Sequence, residues 1–268
     1  MKLLNGAELA GFIKERHGQQ VAALKSGGVI PKLAIVQVKD DPVINTYVKL
    51  KKDYGSDIGA VVEVHHISQP QAASLINNLS ADDSVHGIIV QLPLTDVSQT
   101  DELVNLVAPH KDVDGLGARA QFDPATPMAI LWLLSGYNVD LKGKQVLIIG
   151  RGKLVGVPLG KMLVKSKIDV SAADVNTKDL TAKCLHADVI VTATGSPALV
   201  HSTMIKPQAV VVDAGVASEQ GKTVGDLADD VYNRDDLTLT PKKGGVGPLT
   251  VCALFDNLIR AAGDHAKS

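Results

Sequence analysis

The stretch Lys144-Gln145-Val146-Leu147-Ile148-Ile149-Gly150-Arg151-Gly152-Lys153-Leu154-Val155-Gly156-Val157-Pro158 restricts the fold more than any other part of this chain. A short apolar run, Val146 to Ile149, meets a glycine turn, and a helical pattern follows. Strand, tight turn and helix N-terminus in that order leave backbone N–H groups and the helix dipole facing outward, an arrangement suited to a phosphate group. Gly150 permits the turn, Gly152 allows close approach of a ligand to the backbone, and Gly156 allows the helix to pack on the strand. The spacing G-x-G-x-x-x-G is one residue longer than the dinucleotide fingerprint, and an ordinary strand-to-helix turn without a ligand has the same pattern. Three further Val/Ile/Ala-rich runs follow: Ile168 to Ala173, Asp188 to Thr194 and Ala209 to Ala214, the last two running into Gly195 and Gly215. Near-continuous apolar strands are covered on both faces, as in a parallel sheet. The reading is a doubly wound α/β domain that binds ligands at the carboxyl ends of its strands.

The chain before this domain also alternates. An amphipathic helix from Glu8 to Leu24 ends at Gly27-Gly28 and leads into a strand, Lys32 to Val38. Asp40-Asp41-Pro42 starts a helix of about residues 43–58, in which Tyr47 and Lys51 share a face at i, i+4 spacing. Strands are expected at Ala60 to Ile67 and Gly87 to Leu92, and helices at Gln69 to Leu79 and Asp101 to Val107. The loop His110 to Gly115 reads as the end of a first domain. Thr126-Pro127 begins a helix reaching Gly136, and a glycine-rich loop, Thr240 to Thr250, feeds a last helix over Thr250 to Ala262. With 268 residues the chain is long enough for two domains, divided at about residue 120.

Composition excludes several functions. The formal net charge of −2 and the absence of a basic block argue against nucleic acid, and an aromatic content of 3% supplies little base-stacking surface. No run of about eighteen apolar residues suggests a membrane span. The first residues lack the apolar core of a signal peptide, so a cytoplasmic protein is expected. Cys184 and Cys252 have no metal or redox spacing and read as buried thiols in a reducing compartment. His65 and His66, adjacent on a strand, face opposite sides and make a poor metal pair, and no metal site is expected.

Four separated stretches, Tyr47-Val48-Lys49-Leu50-Lys51, Val90-Gln91-Leu92-Pro93-Leu94, Lys111-Asp112-Val113-Asp114-Gly115 and Gly244-Gly245-Val246-Gly247-Pro248, resemble motifs of the methylenetetrahydrofolate dehydrogenase/cyclohydrolase family. The opening Leu4-Asn5-Gly6-Ala7-Glu8-Leu9-Ala10 and Gly150-Arg151 fit it too, so the resemblance covers nearly the whole chain in the family's order. It implies two α/β domains joined by long helices around a cleft: residues 1–120 with the C-terminal helix, 250–268, returning to them, and residues 121–249. It implies a homodimer, a folate substrate and a nicotinamide cofactor. The implied chemistry is oxidation of methylene-tetrahydrofolate, then hydrolysis of the methenyl cation to 10-formyl-tetrahydrofolate. Lys51 would be the acid/base, Gln91 its positioning partner, Tyr47 a stacking surface and Asp114 the acceptor for the pterin edge. Leu92, Pro93, Gly247 and Pro248 would also border the substrate. The cofactor would lie against Gly150, Arg151, Gly152, Val155, Gly156, Asp174, Thr194, Gly195 and Gly215. Lys51 taken alone is an ordinary solvated helix lysine.

The chain departs from the family's pattern at Ile44 (commonly serine), Ala125 (commonly cysteine), Lys243 (commonly proline) and in a shorter segment between Gly115 and Pro124. These leave the cyclohydrolase rate open, so a dehydrogenase without it is one alternative. A non-catalytic folate- or nucleotide-binding protein on the same fold is another. A shikimate-type dehydrogenase shares the cofactor domain but leaves the other motifs unexplained. Gly152 replaces a common serine, and Asp174-Val175 stand where many members place histidine and serine. Asp174, 24 positions after Gly150, occupies the place where a dinucleotide fold binds ribose hydroxyls. NAD is therefore expected over NADP; the alternative is an Asp174 that caps a helix or turn and points away, a common use of aspartate. An arginine with an aspartate here also resembles the family's NAD-using mitochondrial branch, which employs magnesium and inorganic phosphate.

Overall fold

The computed structural model describes residues 1–219 and 222–265. In chain order its elements are β1 (Lys2–Leu3), α1 (Gly6–Ser26), β2 (Lys32–Gln37), α2 (Pro42–Ile58), β3 (Val61–His66), α3 (Ala72–Ala81), β4 (Gly87–Val90), α4 (Thr100–Leu106), α5 (Ala125–Gly136) and β5 (Gln145–Ile149). Then follow α6 (Gly156–Lys165), β6 (Asp169–Ala173), α7 (Leu180–His186), β7 (Val189–Thr192), β8 (Val210–Asp213), β9 (Ala217–Glu219), β10 (Lys222–Val224), β11 (Thr238–Leu239) and α8 (Val246–His265).

The chain divides into two compact units. One comprises Gly11–Ala125 and the chain from Val251 onward; the other comprises Met1–Ala10 and Thr126–Thr250. The first ten residues thus belong with the dinucleotide-type sheet, whereas the sequence reading groups them with residues 11–120. The reason is strand pairing: Lys2 and Leu3 add β1 to that sheet beside Thr238 and Leu239 of β11. The Ala7 N–H also donates to the Gly244 carbonyl at 2.9 Å.

The first unit is built on a parallel sheet of order β3-β2-β4. Its central strand is buried from Leu33 to Gln37, and Ala34, Val36, Ile76, Ile88, Val90 and Leu103 pack in one core. Helix α2 starts where Asp41 Oδ1 accepts the N–H groups of Val43 and Ile44, with Pro42 as the first helical residue. It ends at Gly59, whose φ of +82° is available to glycine at little cost. The helix buries Ile44, Val48, Tyr54, Gly55 and Ile58. Gly55 is a close approach: a Cβ there would lie 2.4 Å from Val62 Cγ2 and 3.3 Å from the Phe255 ring. Under this contact lies a polar chain. The fully buried His17 ring places Nδ1 3.0 Å from the Tyr54 hydroxyl and Nε2 3.3 Å from Asp256 Oδ1, and the Tyr54 hydroxyl donates to Cys252 Sγ at 3.4 Å.

The second unit holds a six-stranded parallel sheet of order β1-β11-β8-β7-β5-β6. Val146 to Ile149 of β5 are buried, with the edge strand β6 on one side and β7 on the other, so the direction of winding reverses at β5. The two-residue strands β1 and β11 and the small β9–β10 hairpin are absent from the sequence reading, being too short to show a period. Helix α8 begins at Val246 instead of the expected Thr250. Gly247 and Pro248 therefore lie in its first turn, where a proline without an N–H costs nothing. No helix among the described residues is long and apolar enough to cross a membrane.

Burial pushes the Asp256 carboxyl up, but His17, by hydrogen bond and charge, with Arg16 and Arg260, outweighs it and holds the pKa below the usual range. A depressed folded-state pKa stabilises the fold above the unfolded value, near 4, and that stabilisation disappears as pH falls through the folded value. Asp256→Asn is expected to cost about 1 kcal/mol in urea unfolding at pH 7, with the gap to the native protein closing below about pH 4. A gap independent of pH would refute the linkage.

Candidate active site

In the first unit the carboxyl ends of β2 and β4 carry the polar groups. Strand β4 stops at Val90, so Gln91 lies just past its end, held by its N–H to the Val36 carbonyl at 2.9 Å. The Gln91 side chain is 8% exposed. Its Nε2 donates to the Leu92 carbonyl at 3.0 Å, which turns Oε1 outward as an acceptor, and Lys51 Nζ donates to that oxygen at 2.7 Å. The Leu92–Pro93 peptide is cis. Lys51 reaches this point from α2, one turn after Tyr47, which is also partly buried. Burial lowers the Lys51 pKa from its ordinary value, while the charge of Asp114 works the other way. Burial likewise raises the Asp114 carboxyl, opposed by Lys51 and reinforced by Asp112. Burial also raises the Tyr47 hydroxyl. Lys51 is thus tied to Gln91 by a hydrogen bond and to Asp114 by charge, although the three are far apart in sequence. A lysine that loses water without a bonded counter-ion is shifted toward the neutral amine, the form able to take a proton.

The sequence reading missed the groups that shape the Asp114 loop. Asp112 is 4% exposed; its Oδ1 accepts the N–H groups of Gly115 (3.0 Å) and Leu116 (3.4 Å), and Oδ2 accepts Gly117 N–H at 2.7 Å. Gly115 has φ +70°, the left-handed conformation this turn requires. Lys111, also buried, donates to the carbonyls of Leu79 and Asp82 at the end of α3, the favourable end of the dipole for a cation. Asn257 of α8 donates from Nδ2 to the Val113 and Asp123 carbonyls, at 3.0 Å each. The Lys111-Asp112-Val113-Asp114-Gly115 motif is a signal for these roles, but its three charged side chains do not reveal which one faces inward. The departures Ile44 and Ala125 are buried core residues, 3% and 2% exposed.

In the second unit, the glycine turn follows β5. Gly150 has φ +108°, and a Cβ there would lie 2.5 Å from the Ala193 carbonyl oxygen. At Gly156 a Cβ would come within 1.9 Å of the Gly150 oxygen, so the helix start folds directly onto the strand end. Gly152 differs: a Cβ there meets nothing within 4 Å, so no packing inside the chain demands glycine. Val155 precedes α6 and supplies no side-chain cap. An uncapped helix start with open space beside a glycine fits the phosphates of a dinucleotide.

Asp174 follows the end of β6. Its Oδ1 accepts Asn176 N–H at 3.0 Å, and its Oδ2 lies 3.6 Å from Arg151 NH1. It therefore serves its own turn and pairs with the arginine of the glycine turn. Val175 beside it is wholly exposed. Thr194 and Gly195 follow β7, and Gly215 follows β8. Gly215 has an internal reason to be glycine: a Cβ would lie 2.2 Å from the carboxyl carbon of Asp226, which is fully buried. Asp226 and the neighbouring Asp213 were not singled out from sequence. Gly247 and Pro248 belong to this unit. Among the described residues no group of three or more His, Cys, Asp or Glu side chains is arranged to hold a metal ion.

Comparison with known proteins agrees with both halves. Residues 4–114 match the catalytic-domain model of tetrahydrofolate dehydrogenase/cyclohydrolase, and residues 124–266 match its NAD(P)-binding-domain model. The bifunctional protein FolD of Campylobacter jejuni (strain NCTC 11168) is 39% identical over 277 residues, covering 98% of both chains. A crystal structure of the bifunctional FolD from Campylobacter jejuni superposes with a TM-score of 0.93 at 38% identity, covering 98% of this chain and 99% of that one. The silkworm (Bombyx mori) 5,10-methylenetetrahydrofolate dehydrogenase gives 0.91 at 32% identity over the full length of both chains. Two family models that together span almost the whole chain, and full-length relatives above 30% identity, make this chain a member of the tetrahydrofolate dehydrogenase/cyclohydrolase family of enzymes.

Proposed function

We propose that this enzyme oxidises methylene-tetrahydrofolate and then hydrolyses the methenyl product, with Lys51 as the acid/base of both steps. The observation that carries the assignment is the 2.7 Å hydrogen bond from Lys51 Nζ to Gln91 Oε1 in a setting that lowers the lysine pKa. An amide partner orients the amine without adding charge, so desolvation is left to keep it basic near neutral pH. A lysine used only for solubility would stay in water.

The bound nicotinamide would accept the hydride from the methylene carbon. The chain's own groups then serve the hydrolysis. Water adds to the methenyl carbon and gives a proton to the Lys51 amine. Lys51 returns that proton to the ring nitrogen as its C–N bond breaks, and the hydroxyl on carbon releases its proton to solvent as the formyl C=O forms. Asp114 accepts the adjacent donors of the pterin edge, and Tyr47, one helical turn before Lys51, offers its ring as a stacking surface. Leu92 and Pro93 beyond Gln91 border the same site. Gly247 and Pro248 are assigned to the substrate by the family resemblance alone. The protein acts as a homodimer, by resemblance to its family.

For the cofactor, Gly150, Gly152, Val155 and Gly156 would receive the pyrophosphate at the start of α6, and Thr194, Gly195 and Gly215 the nicotinamide end. NAD is the preferred cofactor. The Arg151–Asp174 pairing supports this: the carboxylate offsets the only cation in that pair, repels a 2′-phosphate, and can accept from ribose hydroxyls. The family resemblance to NAD-using members leaves magnesium and phosphate as additives to include in assays.

Lys51→Met is expected to abolish both activities by at least about a hundredfold, measured as nicotinamide reduction and as methenyl absorbance loss. Gln91→Glu puts a carboxylate on the amine and raises its pKa. The acidic limb of kcat/KM should then move to higher pH, and an unmoved limb would remove Lys51 from the base role. Asp174→Ser frees Arg151 and should shift the NAD/NADP ratio of kcat/KM toward NADP by about tenfold or more. An unchanged ratio would eliminate Asp174 as the selector.

A further inference from the structure

We propose that Asp226 is a positioning residue for the nicotinamide cofactor: its buried carboxylate fixes the loop after β7, and Asp213 fixes Asp226. This rests on the reading above that the loops after β7 and β8 receive the cofactor. Asp226 is fully buried although it lies outside any helix or strand. Each of its oxygens takes one backbone N–H of the loop after β7: Oδ2 from Thr194 at 2.7 Å, and Oδ1 from Ser196 at 2.9 Å. These two donors bracket Gly195, which has φ +67°. The Asp226 N–H donates to Asp213 Oδ1 at 3.1 Å, and the Leu227 N–H to Asp213 Oδ2 at 3.2 Å. Asp213 Oδ1 also accepts the Gly215 N–H at 2.9 Å and the hydroxyl of the fully buried Thr192 at 3.0 Å. Two carboxylates therefore tie together the ends of β7 and β8 and the segment 226–227.

The neighbouring glycines are cut to this arrangement. A Cβ on Gly215 would meet the Asp226 carboxyl at 2.2 Å, and one on Gly225 would meet Asp213 Oδ2 at 2.1 Å. Drawing two carboxylates out of water side by side, Asp226 fully and Asp213 in part, is a costly way to hold a fold together, since well-packed apolar residues do so without the desolvation penalty. What a carboxylate adds is an acceptor-only group with two oxygens, able to fix two N–H vectors at once. A loop shaped before its ligand arrives loses less entropy on binding. Gly215, expected as a ligand contact, thereby gains a second role as clearance for Asp226.

The test compares Asp226→Asn and Thr192→Val with the native enzyme in two assays: nicotinamide reduction with methylene-tetrahydrofolate, and hydrolysis of methenyl-tetrahydrofolate, which uses no nicotinamide. Asparagine keeps one acceptor oxygen and turns an NH2 toward the second N–H. Asp226→Asn should raise the KM for NAD about tenfold, with kcat and the hydrolysis rate changed by no more than about twofold. The near-isosteric Thr192→Val should raise the same KM by about threefold and leave hydrolysis alone. An unchanged KM for NAD in both variants overturns the proposal, as does parallel loss of both activities, which would mark a purely structural role. If Asp226→Asn fails to fold, the KM of Thr192→Val decides in either direction. A native enzyme that hydrolyses the methenyl substrate but reduces neither NAD nor NADP overturns the cofactor reading itself, and this proposal with it. An active native enzyme with unmoved variants overturns the positioning role alone.

Discussion

A parallel sheet ends all its strands on one edge, and the backbone that turns away there carries N–H groups that no neighbouring strand can satisfy. In this protein buried and half-buried aspartates satisfy several of them. Asp112 takes three N–H groups of the loop that follows Asp114 in the first unit. Asp213 and Asp226 do the same for the loops after β7 and β8 in the second. The carboxylate suits this work because it accepts on two oxygens and donates nothing when ionised. The loops proposed to meet substrate and cofactor are therefore held in shape by carboxylates bonded to their backbone.

Charge is arranged differently around Lys51. Its hydrogen-bond partner is the neutral Gln91, and the nearby carboxyl of Asp114 is itself raised by burial. Desolvation is then the largest influence on the amine and favours its neutral form. At the glycine turn the opposite holds, since Arg151 and Asp174 sit in partial solvent and offset each other. One site is tuned by withdrawing water, the other by pairing charges.

Much of this was legible in the residues. The apolar run before Gly150, the alternation of strand and helix patterns, and the i, i+4 placement of Tyr47 and Lys51 are local, and local patterns survive folding. Gly150 and Gly156 were read for backbone reasons, and close backbone contacts are what the structure contains at both. At Gly152 the chain leaves open space where a side chain would stand. The start of α8 was misread because Gly247-Pro248 has the composition of a breaker, although the first turn of a helix tolerates both. The two-residue strands β1 and β11 gave no signal, and with them the membership of the first ten residues was lost.

By itself the sequence determined the α/β class, the glycine turn, the family, and the residue types available for acid/base work and for cofactor selection. These follow from periodicity, from backbone freedom and from short motifs contiguous in the chain. Only the tertiary structure decided which side chains meet. Lys51 finds Gln91, forty positions further on, because its side chain reaches from α2 to the residue just past β4. Asp174 finds Arg151 because β6 and β5 run parallel and end together. Asp226, inconspicuous in sequence, becomes central because burial turns an ordinary loop aspartate into an obligatory acceptor. Burial and proximity are properties of the packed chain, and no local pattern encodes them.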